Sequence, residues 1–206
     1  MTLDSTSHES MARSSRAPTR RWGLPLAILL GAAVQVGNAS QALGAIAFVK
    51  NVGVNAIGTT STSISITVPA GGVAFGHTVL VSLAMDPAAG TVSCVDTKGN
   101  SYSAVVDFAN GSGTTGVRTV IFAARIVTAL SAGNTITVSY PSVDASAVSI
   151  NEFSGLGFVD RTASAGGNNG TPSSGSTAVT SQANELLLGS IGVETKKNDP
   201  FAAGAG

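Results

Sequence analysis

The chain has 206 residues, 11 Lys and Arg against 11 Asp and Glu, and only 11% charged residues beside 43% hydrophobic ones. A charge balance this even gives nothing that would attract nucleic acid or an anionic membrane. The single cysteine, Cys94, excludes an intramolecular disulfide, so stability must come from packing.

Met1 to Ser10 is polar and without pattern. Arg13, Arg16, Arg20 and Arg21 follow, then an apolar run from Leu24 to Val36, then the small residues Gly37 to Ala42. A basic start, an apolar core and a small-x-small ending are the three parts of a secretory signal peptide. Ser40 and Ala42 occupy the two positions a signal peptidase reads. Residues 1–42 are therefore expected to be removed, with cleavage after Gly44 as the second choice and Met11 as an alternative start. The apolar run is shorter than the ~20 residues of a bilayer-spanning helix, so no membrane span is expected after cleavage; an uncleaved anchor is the alternative. The Arg20-Arg21 pair leaves the twin-arginine and general export routes both open. With the four leader arginines, Asp4 and Glu9 gone, seven cationic side chains face nine anionic ones.

The remaining residues, 43–206, suffice for one domain with a core of its own. Ala45 to Lys50 reads as a first strand and residues 51–60 as loop. Ser61 to Val68 alternates, with Ile64, Ile66 and Val68 inward. Thr78 to Ala84 follows, with Val79, Val81 and Leu83 on one side. Val92 to Val106 reads as strand, tight turn and strand. In it Asp96 bonds its own backbone two residues on, Gly99 takes positive φ, and Tyr102, Ala104 and Val106 share a face. Val117 to Arg125, apolar on both faces, reads as a central strand. Thr135 to Tyr140 has Ile136, Val138 and Tyr140 inward, and Ala145 to Phe153 follows Pro141. Short strands are also expected at Phe158 to Ala163, Ser176 to Thr180 and Leu186 to Val193. About ten short strands without an amphipathic helix predict an all-β, antiparallel β-sandwich, jelly-roll or immunoglobulin-like. The turn at Asn198-Asp199-Pro200, followed by a strand-like start at Phe201, predicts a domain cut off at its C-terminus.

Val95-Asp96-Thr97-Lys98-Gly99-Asn100-Ser101-Tyr102 resembles the V-x-D-x-x-G-N-x-Y stretch of a β-sandwich domain of bacterial exported and cell-surface proteins. Thr119 to Ala124 resembles that domain's central aliphatic strand. Glu152-Phe153-Ser154-Gly155-Leu156 resembles its E-[YF]-S-G-L strand end, and Glu185-Leu186-Leu187-Leu188-Gly189 its E-L-L-x-G strand. The resemblance spans roughly Ser61 to Val193. It implies a β-sandwich module within surface or extracellular proteins and carries over no catalytic residue.

Few side chains point to chemistry. His77 is the one histidine after the leader and has no G-x-S-x-G elbow to serve. His77 and Cys94 together lack any zinc-ligand spacing. Glycoside hydrolysis needs two carboxylates, and Glu152, Glu185 and Glu194 are the candidates. Glu152 is in phase with Val148 and Ile150, so it is expected to point inward and accept hydrogen bonds. Calcium binds several loop oxygens; Asp96 with Asn100 is the candidate, or Asp86 with Asp107. No catalytic residue and no other cofactor is assigned. The leading expectation is a non-enzymatic exported module with a structural, adhesive or binding role, its partner a surface glycan or another extracellular protein. The alternative is a carbohydrate-binding or polysaccharide-acting domain. A concave surface with two carboxylates or exposed aromatics favours the alternative; a flat, hydroxyl-rich face favours the structural role.

Overall fold

Ser and Thr alternate with β-branched residues along much of the chain, a pattern that solvates one face of a strand and buries the other. The computed structural model describes residues 44–167 and 171–194. Eight strands form: β1 (Ala47–Ile57), β2 (Ser61–Thr67), β3 (Thr78–Met85), β4 (Ser93–Asp96), β5 (Ser103–Ser112), β6 (Thr115–Arg125), β7 (Thr135–Val143) and β8 (Ser146–Ser154). They build two antiparallel sheets, a five-stranded one ordered β1-β8-β3-β6-β5 and a three-stranded one ordered β2-β7-β4. There is no helix among the described residues, and the architecture is an all-β sandwich. The expected leader and the turn at 198–200 lie outside the described residues.

The core forms where the two sheets face each other. β3 contributes Val79, Val81 and Leu83, β6 contributes Val120 and Phe122, and β8 contributes Val148 and Ile150. From the other sheet come Ile64 and Ile66, Cys94, and Ile136, Val138 and Tyr140. The inward faces expected for β2, β3 and β7 are the ones observed. Each fully buried large side chain of this set contributes about 1.5–3 kcal/mol over its exposed state. β6 lies between β3 and β5, as its two apolar faces suggest, and Ile121 and Leu80 are buried on the sheet's outer side.

Several expectations need correction. β1 runs to Ile57 rather than ending at Lys50, because register shifts at Phe48/Lys50 and Asn51/Gly53 absorb the breaks in its alternation. Residues 92–106 are not a hairpin: β4 pairs with β7 and β5 with β6, so the turn carries the chain from one sheet to the other. A bulge in β5 then sets Ala104 opposite Phe122 and Val106 opposite Ile121, which puts those two side chains on opposite faces. β7 continues through Pro141 to Val143. Its pairing with β4 reaches only Ser139, so the missing N–H of Pro141 breaks no bond on that side. Finally, the expected strands at 158–163, 176–180 and 186–193 are irregular. Side-chain bonds replace a ladder there: Arg161 Nε donates to Val179 O at 3.1 Å, and Ser181 N donates to Asp160 Oδ2 at 2.7 Å. This segment lies against the outer face of the five-stranded sheet, where Gly192 packs so closely on Val117 and Thr119 that a Cβ would stand 2.5 Å from Thr119 Oγ1.

Candidate functional site

Glu152 projects from β8 toward the interior, in phase with Val148 and Ile150, and is 1% exposed. Its Oε1 accepts two hydrogen bonds, from the Ala74 N–H at 3.0 Å and from His77 Nδ1 at 2.6 Å. A carboxylate only accepts, so Nδ1 is the protonated nitrogen of His77. Lys50, opposite Glu152 in the β1/β8 register, brings Nζ to 3.5 Å from Oε2 and also donates to the Gly72 carbonyl. Oε2 is buried without a hydrogen-bond partner. Three chain segments thus meet on one carboxyl group: β1, the loop before β3, and β8. Backbone hydrogen bonds from Val73 to Leu130 O and from Gly76 to Ile126 O hold that loop in place. The inward orientation expected of Glu152 is correct. His77, which has no nucleophile elbow to serve, is part of this centre. Lys50 was not foreseen, because its one cue is register with a residue about a hundred positions away.

The calcium candidates Asp96 and Asn100 come together, but in a corner that uses up their oxygens. Asp96 Oδ1 accepts from the Lys98 and Asn100 N–H groups at 2.7 and 3.2 Å. Its Oδ2 accepts from Asn100 Nδ2 at 2.8 Å and from the Tyr102 hydroxyl at 3.0 Å. Asn100 Oδ1 accepts from the N–H groups of Val127 and Thr128, and Nδ2 also donates to Thr128 O. Burial, then the Asp96 charge, pushes the neighbouring Cys94 thiol up to about 12 and the Tyr102 hydroxyl up as well. A thiol so placed is inert. Asp86 and Asp107, the other calcium pair, have separate partners. Asp86 Oδ2 accepts from the Asp144 and Ala145 N–H groups. Asp107 takes a two-pronged bond from Arg118, at 2.8 and 2.7 Å, which holds its carboxyl below the usual range. Arg118 Nη1 also reaches the Ala88 and Gly90 carbonyls. A lone arginine inside an apolar strand run was the available cue to this pin.

Of the remaining carboxylate candidates, Glu194 accepts from the Gly116 N–H at the β5–β6 turn. Glu185 and Asp160, a residue that sequence reasoning passed over, perturb each other's carboxyls. The Ser181 N–H and hydroxyl hold Asp160 down, while desolvation and then the Asp160 contact push Glu185 up.

The outer face of the three-stranded sheet has a different character. Ser63, Ser139 and Ser93 stand side by side across β2, β7 and β4. Ser65 faces Thr137, with their hydroxyls 2.8 Å apart, and Thr67 faces Thr135. Val95 alone interrupts the hydroxyls, and none of these positions carries a charge or a ring. No family model matches the chain, and neither a curated protein nor a solved structure matches it.

Proposed function

We propose that the chain is an exported β-sandwich module without catalytic activity, acting in structure, adhesion or binding at the cell surface or outside the cell. The observation that carries this reading is the exposed hydroxyl array of the β2-β7-β4 face, with Ser63, Ser65, Thr67, Ser93 and Ser139 all open to solvent. Hydroxyls that alternate donor and acceptor roles suit the hydroxyl-rich surface of a glycan. The leader-like start and the resemblance of the 95–102, 152–156 and 185–189 stretches to a surface-protein domain argue the same way. The polysaccharide-acting alternative has one observation in its favour, the Asp160–Glu185 pair.

Retention of the purified protein on insoluble polysaccharides and on cell envelopes tests the proposal. Ser65→Lys with Ser139→Lys should weaken retention about tenfold, the loss of two ordinary hydrogen bonds, while the thermal midpoint stays put. Unchanged retention would remove the hydroxyl face from the proposal. Release of reducing sugar that disappears in Glu185→Gln would overturn the non-enzymatic reading.

A further inference from the structure

Glu152 treats its two oxygens unequally. Oε1 holds two good donors, Ala74 N–H and His77 Nδ1–H, whereas Oε2 is buried, has no hydrogen-bond partner and faces Lys50 Nζ at 3.5 Å. Lys50 Nζ in turn donates to the Gly72 carbonyl. A resting ion pair built for stability would place its best donors on both oxygens. Here the unpartnered oxygen is the one beside the amine.

We propose that Lys50 and Glu152 condense into an intramolecular isopeptide bond that joins β1 to β8. The steps balance within the site. A proton passing from Nζ to Oε2, across the 3.5 Å that separates them, makes both groups neutral. The amine lone pair then attacks Cδ, and negative charge develops on Oε1. The Ala74 N–H and the His77 Nδ1–H, already in place, stabilise that charge as fixed donors do in an oxyanion hole. A second proton moves from Nζ to Oε2, the Cδ–Oε2 bond breaks, and Oε2 leaves as water. Nothing is oxidised or reduced, and no co-reactant is needed. The Lys50–Oε2 contact gives way to the new bond, and the other donors and acceptors of the site keep their roles. The product's amide N–H retains the Gly72 carbonyl as acceptor, and its carbonyl oxygen, the former Oε1, retains Ala74 and His77. The register that sets Lys50 opposite Glu152 supplies the proximity that such a condensation needs.

The full chain, purified and then denatured, provides the test through its intact mass and its proteolytic peptides. The expected mass is one water below that of the same polypeptide without the bond, with Lys50 and Glu152 recovered in one branched peptide. Lys50→Arg, whose guanidinium does not condense, should keep the water. A folded wild-type chain of full mass, with the two residues in separate peptides, would overturn the proposal. So would a Lys50→Arg variant equally short of one water, since the loss would then arise elsewhere. Should Lys50→Arg fail to fold, the wild-type peptide map alone decides. Neither outcome bears on the glycan-retention experiment.

Discussion

At the scale of single residues, Asn100 and Gly99 sit side by side and do unlike work. Asn100 is 5% exposed and ties Asp96 to the backbone of Val127 and Thr128, so its loss leaves several buried groups without partners. Asn100→Ala should cost about 3 kcal/mol. Gly99 holds φ at 75° with open space where a Cβ would go. Only the backbone objects to a side chain there, so Gly99→Ala should cost about 1–2 kcal/mol. Denaturant midpoints of the two variants measure both, and the order of the two losses is the part most easily checked. The Asp107–Arg118 pair gives a pH signature. The Arg118 hydrogen bonds lower the folded pKa of Asp107 below its unfolded value. Its contribution is therefore complete above the ordinary aspartate range, about pH 4. That contribution is lost as pH falls through the lowered folded value. Asp107→Asn should flatten the acid limb of a plot of thermal midpoint against pH, leaving the neutral region parallel to wild type.

Among the elements, the β5–β6 hairpin has the tightest tolerance. A Cβ on Gly116 would stand 2.0 Å from the Asn110 carbonyl oxygen and 2.8 Å from the Gly111 Cα, and its φ is 109°. Gly116→Ala should cost about 2–3 kcal/mol, combining backbone strain with a clash that only strand separation relieves; hydrogen exchange along β5 and β6 would rise with it. How legible each element was follows from how local its cause is. The inward faces of β2, β3 and β7 are written in their own alternation, since burial acts on one face of each strand. Asp96, Gly99 and Asn100 announce a turn, but the same turn chemistry serves a hairpin or a change of sheet, and no residue within it names the pairing partner. In β1 the bulges break the period of two, and a broken period looks like loop; in β5 the bulge moves Val106 to the face opposite Ala104. The Lys50, His77 and Glu152 centre is the extreme case. Glu152 shows its inward phase, while its partners are set only by the register of β1 and by a loop pinned to Leu130 and Ile126.

For the whole molecule, the strand order makes folding a long-range problem. Of the pairings formed among the described residues, only β5 with β6 joins strands that are adjacent in sequence; β1 waits for β8, and β2 for β7. Closing such loops costs entropy before any pairing repays it. Refolding from denaturant is expected on the millisecond-to-second scale typical of all-β sandwiches. Stopped-flow fluorescence of Tyr102 and Tyr140 would follow it, and a microsecond phase carrying most of the amplitude would contradict the expectation.

The register of β1 on β8 also decides how the domain meets a pulling force. Ala47 lies opposite Ser154, so the chain enters and leaves this strand pair at the same end. Tension drawn through those two points opens the pair like a zipper, one rung at a time, rather than sliding the strands past each other under shared load. Phe48 against Phe153 is the second rung, and Lys50 against Glu152 is the next. The Lys50–Glu152 rung thus lies close to the point of loading. Whatever joins Lys50 to Glu152 determines whether a tug on the chain is arrested there or runs on into the core.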